Sequence, residues 1–163
     1  MGFEGMTEEQ ALDMLFEKAS IPEKNFRLER INLEGTLKGL SSKEVSRLRE
    51  QCTTKTKGRG GKMEENFDGD MFNCEIIAIA TTRLAVVVKT GKTVKVDGEN
   101  VEERKTIVSF PDCWKDAKLL SRFKLSSSGE AIKRILLAGE QAALAEVVLD
   151  LAGFNIEVDD VKN

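Results

Sequence analysis

The chain contains no histidine in its 163 residues, and no tyrosine. Without histidine it lacks the commonest general base, the usual activator of a serine or cysteine nucleophile, and the commonest transition-metal ligand. Hydrolase, protease and zinc-site readings lose their main support. The three cysteines, Cys52, Cys74 and Cys113, have no metal-ligand spacing and suit reduced thiols better than a disulfide framework. No apolar run approaches about 18 residues, the length that spans a bilayer. The opening MGFEGMTEEQ has neither the basic start nor the apolar stretch of a secretory signal, and Met6 stands where a myristoylation signal wants Ser or Thr. A net charge of −3 gives no general pull toward nucleic acid or an anionic membrane.

What is present suits a globular protein. At 40% hydrophobic and 33% charged, the composition supplies a core, and one domain over residues 1–163 is expected. The strongest helical signal lies at residues 132–154, IKRILLAGEQAALAEVVLDLAGF. Leu144, Val147, Val148 and Leu151 share one helical face, and Ile132, Ile135 and Leu136 make another. Gly139 between them predicts a break into two helices. Gly153 sits where a left-handed helix end is wanted, with Phe154 placed to fold back onto Leu149.

Earlier in the chain, Thr7 and Gln10 form a capping box. The following Leu12, Leu15, Phe16 and Ala19 predict a helix with one buried face, stopped at Ser20-Ile21-Pro22. Residues 24–31 alternate as a half-buried strand. Leu33-Glu34-Gly35 reads as a turn into a second short strand at 36–40. Ser41 and Glu44 form a second capping box, ahead of Val45, Leu48 and Cys52. Asp68 is placed to cap a helix over about residues 69–80. Residues 84–110 are rich in β-branched side chains, with turn signals at Thr90-Gly91 and Asp97-Gly98. They predict a small antiparallel meander ending at Pro111. Asp112 onward returns to helix, with Leu119, Leu120 and Phe123 apolar. Ser127 and Glu130 form a third capping box. The expected class is α+β: mainly helical, with five to six short helices and a small antiparallel sheet or hairpins around residues 24–40 and 84–110. Residues 155–163 read as a loose acidic tail.

Few motifs carry chemistry. Thr90-Gly91-Lys92-Thr93 has the end of a phosphate-binding loop, but Val86 stands where that motif needs glycine, and a hairpin turn is expected. Asp68 and Asp70 begin like a calcium loop, but Phe72 fills the third ligand position. Residues 55–62, KTKGRGGK, carry four cations and three glycines. They open a flexible basic loop expected over 55–67, solvated rather than base-stacking, since no aromatic is interleaved. A nucleic-acid-associated regulator using 55–62 as a basic arm is the alternative reading. No carboxylate pair stands out among 28 acidic residues, and no cofactor or metal is expected.

Three stretches carry a resemblance: Leu-Ser-Ser-Lys-Glu-Val from position 40, Trp-Lys-Asp-Ala-Lys-Leu-Leu-Ser-Arg-Phe from 114, and LLAGEQAALAEVVLDLAGF at 136–154. Together they resemble the phage tail assembly chaperone family of the XkdN type, found in phages and defective prophages of Gram-positive bacteria. Ala138-Gly139 stands where members often carry Pro-Gly. Residues 84–110 depart from the family pattern as a β-rich insertion. The resemblance implies a non-enzymatic protein of the host cytoplasm, absent from the mature virion. Its implied partner is the tape measure protein, kept soluble until the tail tube forms around it, with the tube protein as a second partner. Leu119, Leu120, Phe123, Leu136, Leu144, Val148, Leu151 and Phe154 are the candidate partner-binding residues, and each also suits the protein's own core.

Overall fold

The computed structural model describes residues 5–154, so the acidic tail expected at 155–163 lies outside the described residues. From the N-terminus run α1 (Glu8–Lys18), β1 (Glu23–Leu28), β2 (Leu33–Lys38), α2 (Ser42–Gln51), β3 (Thr53–Lys57), β4 (Met63–Phe67) and α3 (Gly69–Ala80). Then come β5 (Thr81–Val96), β6 (Glu99–Ser109), α4 (Ala117–Phe123), α5 (Ser128–Ile135) and α6 (Ala138–Leu151).

Strands β1, β2, β5 and β6 form one antiparallel sheet in that order, and β3 pairs only with β4. Side chains alternate across a strand, so register fixes which face each residue takes. Phe26 pairs with Gly35, Leu28 with Leu33, Leu33 with Val86 and Val86 with Val108. These residues, with Leu37, Leu84 and Phe110, form the apolar face that packs on the helices.

The opposite face carries a charged network, with the buried Ala85 paired beside Glu34. Glu34 is buried between two arginines, accepting from Arg27 Nη1 at 2.8 Å and Arg104 Nη1 at 2.7 Å. Arg27 also donates to the Val87 carbonyl, Asn32 Oδ1 and Glu29. Thr36 donates to Asn25 Oδ1 and accepts from Arg83 Nε.

Helix α3 is apolar nearly all round, which suits only a helix covered on several sides. It contacts α2, α5, α6 and β2, and buries Phe72, Cys74, Ile76, Ile77 and Ala80. Withdrawing Ile76 and Ile77 from water stabilises the fold by about 1.5–3 kcal/mol each. Trp114, in a short 3-10 turn over Cys113–Lys115, closes this core.

Local signals fix several element ends. The capping boxes at Thr7–Gln10 and Ser41–Glu44 are both formed. Ser127 caps α5 by accepting from Glu130 N–H, but the Glu130 carboxylate turns to Ser126 instead. After α6, Gly153 takes φ +85, its N–H donates to Asp150 O, and Phe154 N–H donates to Leu149 O. That is the full Schellman pattern.

The structure corrects several sequence expectations. The description "mainly helical with a small sheet" is overturned: helix accounts for 47% and strand for 33% of the described residues. The chain is α+β with six α-helices, a four-stranded sheet and a separate two-stranded ribbon. The segment expected as a flexible loop over 55–67 belongs to that ribbon. Its Thr-Thr-Lys-Thr-Lys strand alternates, but mostly between solvated residues, so it carries no hydrophobic period. Gly35 lies within β2 rather than in a turn. The turn falls earlier, at Glu29–Ile31, closed by Asn32 at φ 54.

Thr90-Gly91 is no hairpin turn either. It lies within β5, where the register slips between Lys89 and Thr93 as a bulge and Gly91 takes φ +78. The single turn of this hairpin is Asp97-Gly98, both at positive φ, as a two-residue type I′ loop requires. The break between the last two helices is at Leu136-Leu137, with Gly139 already inside α6. Helix α1 buries no residue, against the expectation of one buried face.

Candidate protein-binding surface

The concavity beside Trp114 offers little chemistry. An open cleft of 620 Å³ lies between α2, α3 and the Trp114 turn, bordered by Arg47, Glu75, Asp112 and Lys115. Its one thiol is Cys113, pushed up by burial and by the nearby Asp112 and Asp116 carboxylates. A reactive thiolate needs the opposite shift. Cys52 and Cys74 are buried, and burial pushes their thiols up as well. Among the described residues no group of three acidic or cysteine side chains is placed to hold a metal ion.

The basic ribbon is partly neutralised within itself, with Glu64 and Glu65 on the strand opposite Lys55 and Lys57. Lys55 pairs with Glu65 across the two strands, their charged groups 3.7 Å apart, and Thr56 faces Glu64. Phe67 at its base meets Phe72 edge-on at 5.3 Å, and Arg49 lies 5.6 Å from the Phe72 ring. The acidic partner strand opposes the phosphate contacts a nucleic-acid arm would need.

The candidate partner-binding residues divide into three groups. Leu119, Leu136, Leu144 and Val148 lie in the core, so helical periodicity there marked the protein's own packing. Leu120 and Leu151 are part-buried against that core. Phe123 and Phe154 are 40% and 50% exposed, and the Arg134 guanidinium lies 5.9 Å from the Phe123 ring.

Large apolar side chains are exposed elsewhere. On α1, Leu12, Leu15 and Phe16 are 59%, 60% and 86% exposed. On the outer half of the β5–β6 hairpin, Val94 and Val101 face each other across the strands, with Val96 two residues on. The α1 pattern was legible as amphipathic in sequence, but whether its apolar face turned inward was not.

The chain can be compared with known proteins on this basis. A family model described as phage XkdN-like tail assembly chaperone protein matches residues 9–163. The chain belongs to this family. The match takes in α1 from Glu9, the sheet, both hairpins and the closing helices. No curated protein and no solved structure matches the chain. A tail assembly chaperone works by binding other phage tail proteins, and membership speaks for a non-enzymatic role.

Proposed function

We propose that this chaperone binds the tape measure protein and keeps its apolar helical segments soluble until the tail tube assembles around them. The observation carrying this reading is that large apolar side chains stand exposed on peripheral elements, α1 and the β5–β6 hairpin, while the helical core is closed. A contiguous exposed apolar patch on a folded protein is a common site of contact with another molecule. The chaperone acts in the host cytoplasm and leaves before the virion is complete. The tail tube protein is a second partner, met when the tube forms.

Co-expression tests the proposal. With the chaperone present, the tape measure protein is expected in the soluble fraction and in a co-purifying complex. A tape measure protein that stays insoluble, with no complex at low salt, overturns it.

A further inference from the structure

Helix α1 is short, exposed and chemically two-sided. Its 11 residues begin with a complete capping box, yet none of its side chains is buried. An isolated helix below about 12–15 residues is marginal in water, so α1 needs cover to hold its form. Ala11 and Met14 are half-buried, while Leu12, Leu15 and Phe16 point away into solvent.

A row of acids runs beside this apolar face. Glu9, Asp13 and Glu17 follow at i, i+4 and i+8, adjoining the Leu12 and Phe16 row. None of the three is paired with a cation of the described chain. The only base on the helix is Lys18. A second copy would bring another acidic row against the first, and an anionic bilayer would be repelled. The complementary surface is an apolar helix face edged with lysine or arginine.

We infer that α1 is a docking helix for an amphipathic partner helix whose apolar face has a basic edge. Leu12, Leu15 and Phe16 give the apolar contact, and Glu9, Asp13 and Glu17 the charged one. The inference rests on the reading of the chain as a binder of tail proteins, and adds the surface and the chemistry of the partner. Recognition by an amphipathic helix is read by anchors at i, i+3 and i+4, the spacing of these three apolar residues.

The test uses the isotope-labelled full chain and two synthetic amphipathic helices of about 18 residues, with leucine faces edged by lysine in one and by glutamate in the other. The lysine-edged peptide is expected to shift the resonances of α1 and to bind at least about tenfold more tightly than the glutamate-edged one, less so as salt rises. Leu12→Ser with Phe16→Ser is expected to abolish those shifts while leaving the unfolding midpoint unchanged, since neither residue is in the core. Replacing Glu9, Asp13 and Glu17 by lysine is expected to reverse the peptide preference. Equal binding of both peptides, shifts outside α1 only, or α1 shifts that follow chain concentration without peptide each overturn the inference. So does recruitment to anionic vesicles. Neither peptide comes from a tail protein, so failure here is separate from failure of the tape measure co-purification.

Discussion

The indole Nε1–H of Trp114 donates to Thr81 Oγ1 at 3.0 Å, and the Thr81 hydroxyl donates to the Ile77 carbonyl at 2.6 Å. Thr81 is the joint between α3 and β5, and both side chains are buried. One hydroxyl thus ties the last turn of the central helix to the turn that caps the core. Thr81→Val keeps the shape but leaves the buried indole N–H without an acceptor. The expected loss is about 1–3 kcal/mol, read as a lower urea midpoint by the fluorescence of the single tryptophan. An unchanged midpoint would remove this bond from the account of stability.

Gly35 faces Phe26 across the β1–β2 pair. A Cβ at position 35 would come within 2.6 Å of the Phe26 ring and 2.5 Å of the Arg83 carbonyl oxygen. The ring can turn, but the backbone oxygen belongs to a neighbouring strand. Gly35→Ala is expected to destabilise by about 1–3 kcal/mol through overpacking. At Gly91 a Cβ meets nothing within 4 Å, but φ is +78, so Gly91→Ala is expected to cost about 1 kcal/mol from conformation alone. Thermal unfolding of the two variants should rank them in that order.

Two helix ends predict changes of opposite sign. Gly153 and Lys124 both close Schellman-type ends at positive φ, Lys124 with Leu125 N–H donating to Leu120 O. Gly153→Ala forces a β-carbon into the left-handed region and should lower stability by about 1 kcal/mol. Lys124→Gly removes one and should raise it by about 0.5–1 kcal/mol. Denaturant titration of both variants checks the pair of signs.

Acid should loosen the contact between the β1–β2 turn and α6. Glu140 is held below the usual carboxylate range by the Arg30 guanidinium, 2.6 Å away, and then by the Leu137 N–H. Glu44 is held down by the Ser41 N–H and hydroxyl. A carboxylate whose folded pKa lies below its unfolded value adds stability that is complete above the unfolded value, about 4.3, and is lost as pH falls through the folded one. Stability should therefore fall below about pH 4.3. Arg30→Ala should flatten part of that fall, modestly because Arg30 is partly exposed. Unfolding midpoints between neutral and acid pH decide it, and equal slopes in both proteins would count against the pair.

Sequence carried the features whose cause lies within about one helical turn. The Thr7–Gln10 and Ser41–Glu44 boxes, the Asp68 start of α3 and the Gly153-Phe154 stop depend on neighbours a few residues away. Features whose cause lies across the fold were hidden. Gly35 has turn composition, but its place in β2 depends on the Phe26 ring opposite. The β3 alternation was invisible to hydrophobicity because most of the ribbon is wet. The candidate binding residues show the same limit. Periodicity at Leu144 and Val148 says that something covers that face, and the cover is the protein's own core. At Leu12 and Phe16 the same periodicity is met by water.

The charged net around Glu34 gives the molecule a front and a back. Stacking another apolar layer on that side of the sheet would strip water from Arg27, Arg83 and Arg104, at several kcal/mol for each ion left without compensation. Growth by stacking an apolar layer on that face is therefore disfavoured. A neighbour on that side meets a wet, charged surface on which no broad apolar sandwich can form.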